Sequence, residues 1–149
     1  MASFRSRARI LSGAVALALF QSSAAGALDS TPAAKVVVTP LASTTVTANG
    51  QPIVLPQNNV QVLVSSFEIP PGASLPVHMH PLARYAYVLE GQLQVTNAET
   101  GKSTSYNKGD FIVEMIGAWH QGANVGAEPV KLLVIDQVEE GTANTLLKK

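Results

Sequence analysis

The sequence predicts an all-β domain whose sheet closes into a barrel or sandwich, on three observations. Short β-branched and aromatic runs recur between turn signals from residue 35 to residue 138. No stretch between Leu28 and Gly141 repeats its apolar residues at a helical period over a useful length. The composition, 46% hydrophobic and 13% charged over 149 residues, suits one compact domain with a real core and excludes a disordered chain. Closure also removes the open strand edges that would otherwise pair with other molecules.

The elements are taken in order. Arg5, Arg7 and Arg9 precede an apolar run at 10–20, too short to cross a bilayer comfortably, and small residues follow. Ala25 and Ala27 form an A-x-A pattern, so 1–27 reads as a signal peptide cleaved after Ala27. The expectation is a periplasmic or secreted protein with no membrane contact after cleavage. That leader holds three of the ten basic residues and none of the ten acidic ones, so its removal leaves a net charge of −3. It also leaves Arg84 as the sole arginine. Residues 28–50 read as an extension with a frayed lead-in at 28–34 and weak strands at 35–39 and 44–47. Asn49-Gly50 signals a hairpin turn, because both residues tolerate positive φ.

The domain proper is expected over 51–141, with 142–149 as a tail that forms at most a short turn. Strands are expected at 53–55 and 60–69, the second half-buried by its alternation and stopped by Pro70-Pro71-Gly72. The best strand signal is 84–89, turned by Gly91. Further strands are expected at 93–96, 103–106, 111–115, 120–124 and 130–138. The last is apolar enough to be buried on both faces. The chain has no cysteine, so disulfides, thiolate metal sites and cysteine nucleophiles are excluded. No basic run follows the first ten residues, so nothing points to nucleic acid.

Chemistry concentrates in two stretches. His78 and His80 stand one residue apart in Pro76-Val77-His78-Met79-His80-Pro81, and strand alternation turns both side chains to one face. His120 lies in Trp119-His120-Gln121-Gly122-Ala123-Asn124. The chain has three histidines, all in these stretches. Neighbouring imidazoles on one face can share a metal ion.

These stretches resemble the two motifs of the cupin superfamily. The first motif is a glycine, five residues, His-x-His, three or four residues, a glutamate, six residues and a glycine. Gly72, His78, His80 and Gly91 sit in its register. The second is a glycine, five residues, Pro-x-Gly, two residues, His, three residues and Asn. Gly109, Gly117, His120 and Asn124 fit it. The resemblance covers 72–124 and implies a single cupin-type β-barrel, a double-stranded β-helix or jelly roll. It also implies a divalent transition metal (Fe, Mn, Ni, Cu or Zn) on His78, His80 and His120, and a homodimer.

Two positions depart from the pattern. Met115 replaces the motif proline, which touches only a turn, but Arg84 replaces the metal-binding glutamate. By strand parity Arg84 shares the face of His80. A guanidinium about 6 Å from a divalent ion costs roughly 5 kcal/mol at an effective dielectric near 20. So either Arg84 turns away, a carboxylate neutralises it, an anionic ligand bridges it to the metal, or no metal binds. Glu114 stands in the otherwise apolar run 111–116, where an acid needs a partner. It is expected either to pair with Arg84 or to supply a substitute oxygen ligand.

Each candidate has a plain structural reading beside the functional one. Arg84 is either a barrel-mouth ion pair or a bidentate anchor for an acidic ligand. Trp119 either lines the pocket or packs, as Tyr85 and Tyr87 do. Asn124 is expected to hold a turn or to support a ligand residue from behind rather than to bind substrate, and Asp110 to hold a turn. Catalytic candidates are Arg84 and Glu114, with acid–base work by Glu114 or Tyr106 open. Three functions follow: a dioxygenase-like metal enzyme acting on a small acidic molecule, a non-catalytic cupin that binds or senses a small ligand, or a structural domain with relic histidines.

Overall fold

The structure, a computed structural model, describes residues 34–149, and its compact body runs from Val38 to Lys149. The leader expected at 1–27, and most of the lead-in after it, lie outside the described residues. The alternating run after Asn59 forms β1 (Val60–Ile69), and the turn that ends it uses Gly72 at φ 75°. Then come β2 (His78–Met79), β3 (Arg84–Glu90), β4 (Gln92–Asn97), β5 (Ser103–Asn107) and β6 (Phe111–Val113). β7 (His120–Asn124), β8 (Val130–Glu139) and β9 (Leu146–Leu147) complete the set. No helix occurs among the described residues, as the sequence predicts.

The strands make two antiparallel sheets, in the orders β1-β8-β3-β6 and β5-β4-β7-β2-β9. This is an all-β jelly roll. Between the sheets lies a core of Ile69, Ala86, Val88, Leu93, Ile112, Val130, Leu132 and Val134. Each residue comes from the inward parity of its strand, which is how a half-buried strand specifies a sheet face. Gly91 takes φ 75° between β3 and β4, where an added Cβ would stand 2.5 Å from the Pro129 carbonyl oxygen.

Four expectations need correction. β8 buries one face rather than both, because no layer among the described residues covers its outer side; Val130, Leu132, Val134, Asp136 and Val138 point in. β1 is exposed over most of its length, since it pairs only with β8 at the edge of its sheet. Residues 35–39 and 53–55 form no strand, and 44–47 contributes one bridge, Val46 to Pro52, around the Asn49-Gly50 turn. The tail is not a loose turn. β9 pairs with β2, and the Lys148 amide donates to the Val77 carbonyl at 2.9 Å.

Candidate metal centre

The backbone ladder places the first and third histidines. His78 in β2 is the direct antiparallel partner of His120 in β7, so their side chains rise from one face of the sheet. His80, two residues beyond His78, keeps that face and bridges to Ile116. The ring centroids form a triangle with sides of 4.6, 4.8 and 5.0 Å. His80 and His120 are almost fully buried.

Glu114 arrives from the other sheet. It follows β6, and its amide donates to the Arg84 carbonyl at 2.8 Å. Its Oε2 lies 2.9 Å from His120 Nε2 and 3.2 Å from His80 Nε2. One ligand atom from each of His78, His80, Glu114 and His120 falls within 4.8 Å of the others. Of the two roles expected for Glu114, the geometry places it among the imidazoles and not against Arg84.

The other ring nitrogens are committed. Nδ1 of His78 meets the Pro76 carbonyl at 2.7 Å, and Nδ1 of His120 meets that of Ala118 at 2.8 Å. Nδ1 of His80 meets the Asn144 carbonyl. A carbonyl only accepts, so each Nδ1 carries a hydrogen; a neutral ring keeps its lone pair on Nε2, and a ring that donates from Nε2 to Glu114 in the metal-free cluster is the doubly protonated, cationic form. That is the orientation metal-bound histidines adopt. Three such nitrogens and a carboxylate oxygen suit Fe, Mn, Ni, Cu or Zn. Donors about 2.0–2.2 Å from one ion stand at most about 4.4 Å apart, so a cluster whose ligand atoms lie within 4.8 Å of one another needs only a contraction of a few tenths of an ångström. The residues therefore fit a metal.

The electrostatics of the metal-free cluster follow from this geometry. Burial pushes Glu114 upward, but hydrogen bonds from His120 and His80 outweigh it and hold the carboxyl well below its usual range. Burial pushes His120 down, yet its bond to Glu114 raises it above the ordinary 6.5. His78 is lowered by burial, with the two other rings adding to the effect.

Arg84 points inward and is neutralised by Asp136, its direct ladder partner on β8. Nε donates to Oδ1 and Nη2 to Oδ2, both at 2.9 Å, and Nη2 also donates to Thr145 Oγ1 at 2.9 Å. The hollow that Arg84 shares with His78, Glu114 and His120 is about 20 Å³, room for a single water. As an anchor for a larger acidic ligand it is thus already engaged. Trp119 lines neither cavity that Glu114 lines. It directly precedes β7, and the Lys148 ammonium stands 5.9 Å from its ring. Tyr85 stacks on Phe111 outside the core. Asn124 holds a turn, donating to the Ile69 and Glu128 carbonyls and accepting from the Gly126 amide. Asp110 likewise accepts from the Asn107 amide.

Sequence reasoning missed Asp136, Asn144 and Thr145. Asp136 left a trace, because it shares the parity of Val130, Leu132 and Val134 and so had to face inward. Asn144 left none, since its contacts lie far away along the chain. A cavity of about 540 Å³ opens beside Glu114, lined among others by Gln51, Asn97, Lys102, Tyr106 and Met115.

Comparison with known proteins supports the same fold. Residues 65–136 match the family model of the cupin domain. No curated protein matches the sequence. Among solved structures, the Lactobacillus farciminis oxalate decarboxylase formate complex is 24% identical with a TM-score of 0.49, covering 58% of this chain and 26% of that one. A polyketide cyclase from Streptomyces resistomycificus is 23% identical with a TM-score of 0.50, covering 59% of this chain and 62% of that one. A Bacillus subtilis oxalate decarboxylase, studied for its Mn(II) centres, is 23% identical with a TM-score of 0.48, covering 58% and 23%. The chain thus spans about a quarter of the decarboxylases, and the likeness is one of fold. Matching motifs, the jelly roll and the family model agree that this chain carries a small cupin domain.

Proposed function

We propose that the protein is an exported, metal-dependent cupin that acts on a small polar molecule, with His78, His80, His120 and Glu114 as the metal ligands. The observation that carries this reading is the convergence of four ligand atoms within 4.8 Å, with every Nδ1 engaged by a carbonyl. Glu114 takes up, from a different strand, the carboxylate role that Arg84 vacates. The cavity beside Glu114 has the size of a small-molecule site. Its lining includes one cation, Lys102, and two carboxylates, Glu99 and Glu114, so a divalent ion tips its balance to positive and favours an acidic ligand. Tyr106 lines the same cavity, and its phenol is raised first by burial, then by Glu114 and Asp110. It stays protonated at neutral pH and serves as a hydrogen-bond donor. The reaction class proposed is oxidoreductase chemistry of the dioxygenase type.

The test is metal analysis of protein purified without a histidine tag, followed by O₂ uptake on a panel of small acids. About one transition-metal ion per chain is expected, and it should be lost in His78→Ala and His120→Ala. Substoichiometric metal, with no thermal shift on adding Fe, Mn, Ni, Cu or Zn, would sink the reading. Bound metal without turnover on any substrate would favour a binding or sensing role. The proposed homodimer draws support from β1, whose unpaired edge carries exposed Val60, Val62 and Val64 on one face. Sedimentation should give twice the chain mass, and Val62→Glu should halve it.

A further inference from the structure

Two of the three histidines are oriented locally. The carbonyls that hold His78 and His120 belong to Pro76 and Ala118, each two residues back along the same segment. His80 differs, because its Nδ1 partner is the Asn144 carbonyl, 64 residues away. That carbonyl is itself tightly placed. Asn144 is 4% exposed, its Oδ1 accepts from the Leu82 amide at 2.9 Å, and its Nδ2 donates to Asp136 Oδ1 at 2.7 Å. The next residue, Thr145, accepts from Arg84. Asn144, Asp136, Arg84 and Thr145 thus form a closed ring, and β9 runs on from it along β2.

We infer that the C-terminal segment is a positioning element of the metal centre, and that the Arg84–Asp136 pair is the latch that holds it. This rests on the metal reading of the site. It also gives the departure at position 84 a purpose. The cation standing where cupins usually place a ligand fastens the segment that aims His80. Asn144 acts through His80 and does not itself bind metal. Outer partners of this kind typically change metal affinity by about 10–100-fold when removed. Coupling between two sites is reciprocal, so an ion that needs the segment in place must also stabilise it.

The experiment uses the full, untagged chain with Co²⁺ alone as the probe. Asn144→Ala should weaken Co²⁺ binding by about 10–100-fold and alter its d–d absorption. Asn144→Ala keeps the backbone carbonyl but removes the side-chain bonds that place it, whereas Thr145→Val keeps those bonds and loosens only the latch, so it should shift both in the same direction by less. Long-range ¹H–¹⁵N spectra of the metal-free Asn144→Ala protein should show His80 exchanging between tautomers while His78 and His120 keep hydrogen on Nδ1. In the unmodified protein, Co²⁺ should slow hydrogen exchange at the Leu82 and Lys148 amides, a measurement that does not depend on any variant folding. Tight Co²⁺ binding with unchanged exchange at those amides would overturn the inference and leave the metal centre standing. So would a folded Asn144→Ala protein with unchanged affinity and spectrum. Absence of Co²⁺ binding by the unmodified protein would bring down the metal reading and this inference with it.

Discussion

Replacing Arg84 by methionine tests the electrostatic account of the barrel interior. Methionine keeps much of the side-chain volume and removes the charge and its donors. The side chains of Arg84 and Asp136 are only 10% and 9% exposed, and two parallel bonds of 2.9 Å join them. Removing one partner of such a pair costs about 3–5 kcal/mol, because the other charge stays buried and unpaired. The Asn144 amide still donates to Asp136 Oδ1, so we expect the lower end, about 3 kcal/mol. With a urea slope of about 1–3 kcal/mol/M, the midpoint should fall by roughly 1–3 M. The assay is urea unfolding of the metal-free protein, so that ligand linkage does not enter. Adding Asp136→Leu should recover at least about 2 kcal/mol, since it removes the stranded charge. A loss below about 1 kcal/mol for Arg84→Met, the value of an exposed pair, would refute the reasoning. So would the absence of any recovery in the double variant.

Further outcomes follow from the structure. Zn²⁺ affinity should rise with pH through the raised value of His120, because a proton on Nε2 must leave before a metal takes the lone pair; titration calorimetry across that range should show proton release. Glu114→Gln removes the bond that raises His120, so the break should move to lower pH while affinity at pH 8 falls at least about tenfold. Without metal the sign reverses for His120 alone. The His120 contribution to folding is complete below 6.5 and fades as pH rises through its folded value, while that of Glu114 is present above 4.5 and fades on acidification, as urea midpoints of the Glu114→Gln and parent proteins should show. Gly91→Ala should lower the Tm by about 5–15 °C, since the new Cβ meets the Pro129 carbonyl oxygen at 2.5 Å and the Val130 Cα at 3.0 Å in a left-handed backbone. Asn124→Ala should cost about 2–4 kcal/mol in urea, because it strips partners from the Ile69 and Glu128 carbonyls and the Gly126 amide.

Much of this molecule was readable in advance where the signal is local. Alternation fixed the shared face of His78 and His80 and the inward parity of Arg84, Ala86 and Val88. The motif spacing pointed to the jelly roll that brings His120 to β2. Alternation also carried a further signal, that Asp136 shares the inward parity of Val130, Leu132 and Val134. What could not be read was contact between distant segments. Nothing in Gly141-Thr142-Ala143-Asn144 announces a carbonyl for His80, because a backbone group carries no signature in side-chain chemistry. The exposure of β1 was equally hidden, since an apolar alternating run looks the same at the edge of a sheet as at its centre.

The imidazoles rise from one sheet, while the Glu114 carboxylate reaches them from the end of β6 in the other. An ion seated among them would therefore act as a rivet through the sandwich. Filling the site would resist shearing of one layer past the other, and emptying it would free that slip without breaking a single ladder bond. Chelation should loosen this protein between its layers before it loosens either layer.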